Sequence, residues 1–139
     1  MRVIIPILAA SIGAIAGCSS TTDPATYPAV EFTFGVDRLA IEPAFLVESV
    51  GDDLIVRGTY EALTSGYTAE ASADLSAGTL ELRVVGTQPS DNRPVIGAIG
   101  YEAKVSGVSP GPLHVRVIHE YRGVSRPPTV VFEQNIAVQ

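Results

Sequence analysis

The sequence predicts an all-β domain, a single antiparallel β-sandwich of about seven strands in two sheets. Three observations carry that expectation. Apolar side chains recur at every second position through several short runs, the period of a strand with one buried and one wet face. Gly, Pro, Asn, Asp and Ser, the residues that turns require, separate those runs. After residue 17 no run shows the 3.6-residue spacing of an amphipathic helix.

The first element stands apart from the domain. Arg2 supplies a positive charge ahead of residues 3–16, which are apolar but for Pro6, Ser11 and Gly13. A membrane-spanning helix needs about 20 residues, so this shorter run suits the core of a cleavable export signal over residues 1–17. It ends in Ile15-Ala16-Gly17-Cys18. An aliphatic residue, two small ones and a cysteine in that order resemble the lipobox of bacterial lipoproteins. The resemblance covers the first 18 residues. It implies cleavage before Cys18, a diacylglyceryl thioether on its sulfur and acylation of the new amino group. Two or three acyl chains make a lasting membrane anchor. Ser19 stands where an aspartate would resemble the inner-membrane retention signal. The expected location is therefore the cell envelope, at the outer membrane of a two-membrane cell, on either its periplasmic or its surface face.

Residues 18–28 are small, polar and marked by Pro24 and Pro28, and read as a lipidated flexible tether. The domain is expected over residues 29–139. Residues 53–61 set Leu54, Val56, Gly58 and Tyr60 against Arg57, Thr59 and Glu61. In 79–85, Leu80, Leu82 and Val84 oppose Glu81 and Arg83. Tyr101, Ala103 and Val105 alternate with Glu102, Lys104 and Ser106. The clearest strand is 112–122. Leu113, Val115, Val117, His119 and Tyr121 point one way; His114, Arg116, Ile118, Glu120 and Arg122 point the other. Residues 129–138 offer Val130, Phe132, Ile136 and Val138 on one face. Stretches 39–50 and 67–74 carry weaker strand patterns, and 70–74 also suits a short helical turn.

Punctuation agrees with this division. Gly51-Asp52-Asp53, Ser76-Ala77-Gly78 and Gly123-Val124-Ser125 each separate two runs. Ser109-Pro110-Gly111 puts Pro and Gly where a type II turn wants them. Pro127-Pro128 suits a strand beginning on a sheet edge. Residues 101–117, in which Val108-Ser109-Pro110-Gly111 leads into alternating aliphatics, resemble the E-strand, turn and F-strand of immunoglobulin-like and fibronectin-type-III-like domains. The chain has no Trp, no pair of cysteines and no Tyr at the start of the F-like strand. The resemblance therefore implies a sandwich architecture and not antibody-type membership. A small closed β-barrel is the alternative.

Composition narrows function. The 139 residues carry a formal charge of −6, and loss of Arg2 with the signal makes the remainder more acidic still. The acids are scattered, as on a solvated surface. A net-negative body argues against nucleic acid and against adsorption to anionic lipid by surface charge. Cys18 is the one cysteine, so no internal disulfide forms.

No catalytic set, cofactor or metal site is expected. His114 and His119 are five apart, an odd spacing that puts them on opposite faces of a strand. His119 reads as a satisfied histidine at the core edge. Asp52-Asp53 and Asp91-Asn92 read as turns, since the spaced acids of a calcium loop are absent. No Gly-x-Ser-x-Gly elbow occurs, and Gly97-Ala98-Ile99-Gly100 lacks the Lys of a phosphate loop. On the stripe Arg116, Ile118, Glu120 and Arg122, with Glu133 and Asn135 opposite if the final strand pairs with this one, cross-strand ion pairs on a wet sheet face are one reading. The other makes His114, Arg116, Ile118, Glu120 and Arg122 the candidate binding face, with the loop tips at 90–94 and 123–127 beside it. The expected function is a non-catalytic, lipid-anchored envelope protein that binds another envelope protein or serves as a structural accessory. The alternative is a small-ligand or carbohydrate-binding module.

Overall fold

The computed structural model describes residues 26–36, 44–64, 66–90 and 94–139. The signal over 1–17, Cys18 and the tether as far as residue 25 lie outside the described residues, as does the Asp91-Asn92 turn. Eight strands follow in chain order: β1 (Val30–Val36), β2 (Leu46–Val50), β3 (Asp53–Thr64), β4 (Thr68–Ser76), β5 (Thr79–Thr87), β6 (Pro94–Ser106), β7 (Gly111–Arg122) and β8 (Thr129–Val138). They form two four-stranded sheets, β1-β6-β3-β2 and β4-β5-β7-β8, packed face to face. No strand pairing joins the two sheets among the described residues, so the fold is a sandwich and not a closed barrel.

Turn chemistry sets the hairpins. Gly51, at φ 60°, takes the first central position between β2 and β3, as a type II′ turn requires. Ala77 and Gly78, at φ 47° and 75°, form the two-residue link between β4 and β5 in the manner of a type I′ turn. The segment Ser109-Pro110-Gly111 bends where the chain passes from β6 in one sheet to β7 in the other. Just before it, the Gly107 and Val108 N–H groups both donate to the Asp52 carbonyl, at 3.1 and 3.0 Å.

The expected antiparallel order breaks at one place. β5 and β7 are neighbours and run parallel, with Thr79 facing His114 and Thr87 facing Arg122. The reason lies in the path between them. From the end of β5 the chain returns along the other sheet as β6, antiparallel to β3, and re-enters beside the start of β5. Parallel neighbours need such a long crossover.

The inner faces form one core. At the end bearing the tight turns it is aliphatic: Leu54, Leu80, Val105 and Val115 are fully buried. Toward the other end it turns aromatic, with Tyr60, Tyr67, Tyr101 and Tyr121 buried among Phe32, Phe34 and Phe45. Two glycines make room for these rings. A Cβ at Gly58 would lie 2.5 Å from the Tyr101 hydroxyl, and one at Gly86 would overlap the Tyr60 ring. Both glycines therefore face inward, where larger side chains would displace a tyrosine.

Two expectations need correction. Val130 was expected on the inner face of the last strand, but it is 41% exposed. Pairing with β7 skips a residue between Phe132 and Val130, so a bulge at Val131 turns Val130 outward. Thr26 was expected within the tether, yet its N–H donates to the Leu75 carbonyl (2.9 Å) and its carbonyl accepts from the Leu75 N–H (2.8 Å). β4 is an edge strand, and Thr26 satisfies backbone groups that the edge leaves open.

Candidate functional site

Period-two alternation in β7 puts His114, Arg116, Ile118, Glu120 and Arg122 on the outer face of the second sheet, and its pairing with β5 and β8 decides their neighbours. Glu81 lies opposite Arg116, Arg83 opposite Ile118, Glu133 opposite Arg116 and Asn135 opposite His114. The side chains join across the strands. Arg83 reaches Glu81 at 2.7 Å and Glu120 at 3.1 Å. Arg116 lies 3.6 Å from Glu81 and 3.5 Å from Glu133. His114 Nε2 bonds Glu133 at 2.7 Å and its Nδ1 bonds Asn135 at 2.6 Å. Glu120, Arg83, Glu81, Arg116 and Glu133 thus form one chain of alternating sign, which His114 extends when it is protonated. Arg122 sits apart, paired with Glu70 at 2.7 Å.

Electrostatics follow from that order. The hydrogen bonds that Arg83 donates to Glu120 and Glu81 raise its pKa above the ordinary value. His114 is also raised, first by its hydrogen bond to Glu133 and then by Asn135. Exposed pairs are individually weak. Together they link side chains from three adjacent strands, β5, β7 and β8.

Ile118 differs from its neighbours on this face. It is 7% exposed, and Val85, also facing outward, is 6% exposed. The two lie diagonally on neighbouring strands, an apolar strip with Arg83 opposite Ile118 and Glu120 opposite Val85. Sequence reasoning placed Ile118 on this face but missed its burial, because the partnership of β5 with β7 spans a crossover. An aliphatic at an outward position of each strand was the available signal.

The inner face of β7 carries a second polar feature. His119 is 2% exposed. Its Nε2 shares a 2.9 Å hydrogen bond with the Tyr101 hydroxyl, and Tyr60, Tyr101 and Phe45 surround the ring at centroid distances of 4.9, 5.6 and 6.0 Å. Burial, and to a lesser degree Arg126, pushes His119 down to about 4, and burial raises Tyr101. Both stay neutral near pH 7. The Tyr60 hydroxyl donates to the Glu120 carbonyl at 2.8 Å. At the rim Arg126 stacks 4.5 Å over the Tyr121 ring and pairs with Glu61 at 2.9 Å. The arrangement is a closed packing cluster with its polar atoms turned on one another.

The remaining candidates scatter. Asp52 sits in the β2–β3 turn, while Asp53 pairs with Lys104 at 3.3 Å on the outer face of the first sheet. Gly97-Ala98-Ile99-Gly100 lies within β6. Among the described residues no group of three or more His, Cys, Asp or Glu side chains could hold a metal ion, and no helix is long and apolar enough to cross a membrane. An open cleft of about 530 Å³ lies at the tight-turn end, between the β4–β5 turn and the β6–β7 connection, with Leu75, Val108, Pro110 and Leu113 in its lining. Compared with protein-family models, with curated proteins and with solved structures, the chain finds no match.

Proposed function

We propose that this protein is a lipid-anchored accessory of the bacterial cell envelope that uses the outer face of the β4-β5-β7-β8 sheet to bind another envelope protein, without catalysing a reaction. The observation that carries the reading is the cross-strand charge chain. Its members are linked by hydrogen bonds and, at Arg116, by ion pairs to Glu81 and Glu133, so a partner with complementary charges meets a surface with less side-chain freedom to lose. Mixed signs in fixed order favour selectivity over raw affinity. The anchor rests on the lipobox residues Ile15 to Cys18. An enzyme or sugar platform is the poorer reading because the polar and aromatic groups suited to such work, His119, Tyr60 and Tyr101, are packed inside.

In-cell cross-linking followed by membrane isolation tests both parts. Wild-type protein should fractionate with membranes and cross-link to a defined partner. Cys18→Ser should release it from membranes or block processing. Arg116→Glu with Arg122→Glu should abolish the cross-link while leaving the anchor intact. Unchanged cross-linking in the double variant would remove this face from the proposal.

A further inference from the structure

We infer that the tight-turn end of the sandwich lies against the lipid bilayer and that the opposite end, with the β7–β8 loop, points away from it. This rests on the proposed acylation of Cys18. The described chain begins at Thr26, which is held by its two hydrogen bonds to Leu75 near the end of β4. That is the end of the β2–β3 and β4–β5 turns and of the β6–β7 connection.

Chain length then limits posture. Eight residue steps separate Cys18 from Thr26. They span at most about 28 Å, whatever their conformation. β3, twelve residues from one end of the sandwich to the other, is roughly 36–40 Å long at strand rise. Inverting the domain would lift Thr26 by nearly that length, beyond the reach of the stretched tether.

Charge limits it further. Ser76, Ala77, Gly78, Ser109 and Pro110 at the tight-turn end are exposed and uncharged, and Asp52 is the acid among them. Both outer sheet faces carry more acids than bases. One has Glu70, Asp74, Glu81, Glu120 and Glu133 with Arg83, Arg116 and Arg122; the other has Glu31, Glu48, Asp53, Glu61 and Glu102 with Arg57 and Lys104. Laying either face on an anionic leaflet sets like charge against like. The end-on posture avoids that and leaves both sheet faces open to partners.

Site-specific quenching on the full mature protein tests the posture. Ser109→Cys and Ser125→Cys are each labelled with a thiol-reactive fluorophore. The labelled proteins are reconstituted into phosphatidylethanolamine–phosphatidylglycerol vesicles containing a headgroup spin-labelled lipid. Acylated Cys18 has no thiol, so one dye per chain is expected, with several-fold stronger quenching at position 109 than at 125. One dye with equal or reversed quenching would overturn the posture and leave the anchor standing. Two dyes per chain would show a free Cys18 thiol and overturn both.

Discussion

The two histidines of β7 sit five residues apart on one strand and live in opposite electrostatic worlds. His114 faces outward between Glu133 and Asn135 and gains from being charged. His119 faces inward among Tyr60, Tyr101 and Phe45 and resists charge. The difference teaches that on a half-buried strand the face, not the residue type, decides protonation. It also separates two tasks. The inner face packs the core of the sandwich, and the outer face carries the cross-strand charge chain.

The largest expected effect tests the inner face. His119 is depressed in the folded state, so its contribution is fully present above its ordinary value of 6.5 and is lost as pH falls toward about 4. Stability should drop by about 3 kcal/mol over that window from this residue alone. Urea titrations of wild type and His119→Gln at several pH values check it. A pH slope unchanged in the variant would assign the acid sensitivity to carboxylates instead.

A smaller effect tests how cleanly the faces divide. Ile118→Ala should cost about 2 kcal/mol, because the side chain is buried although it points outward. If the urea midpoint shifts no more than for a surface substitution, the strip of Ile118 and Val85 contributes nothing to stability. The smallest effect belongs to His114. Its raised folded value makes its contribution present at low pH and lost as pH rises through that value, the reverse sign to His119. Histidine proton resonances should show His114 titrating above His119, and Glu133→Gln should bring His114 down.

Much of the fold was legible because alternation is a local signal. Every residue expected inward in β7 is buried, and the β2–β3 and β4–β5 turns fall where glycine punctuates the chain. β4 was harder to read. Its inward residues, Ala69, Ala71, Ala73 and Leu75, are mostly alanine, which suits a helix as well as a strand. Residues 94–100, now the first half of β6, hid among glycines. The candidate face could be read as a stripe of five residues. Its partners on β8 could also be read, since pairing of the last two strands sets Glu133 and Asn135 opposite the stripe. Its partners on β5 could not, since Glu81 and Arg83 meet that stripe only through the parallel pairing of β5 with β7.

That parallel pair has a consequence for how the chain folds. β4 with β5 and β7 with β8 can each zip from a local connection, and β2 with β3 can do the same. The seam between β5 and β7 cannot. It joins Thr79 to His114 and can close only after β6 has crossed to the other sheet and docked on β3. Ring closure over such a separation costs entropy before any contact repays it, and sandwiches dominated by distant pairings fold in roughly milliseconds to seconds. Until the seam closes, β5 and β7 both present open backbone edges. A newly made chain would therefore be most exposed to mispairing during that interval, and a chaperone that shields strand edges would help most there.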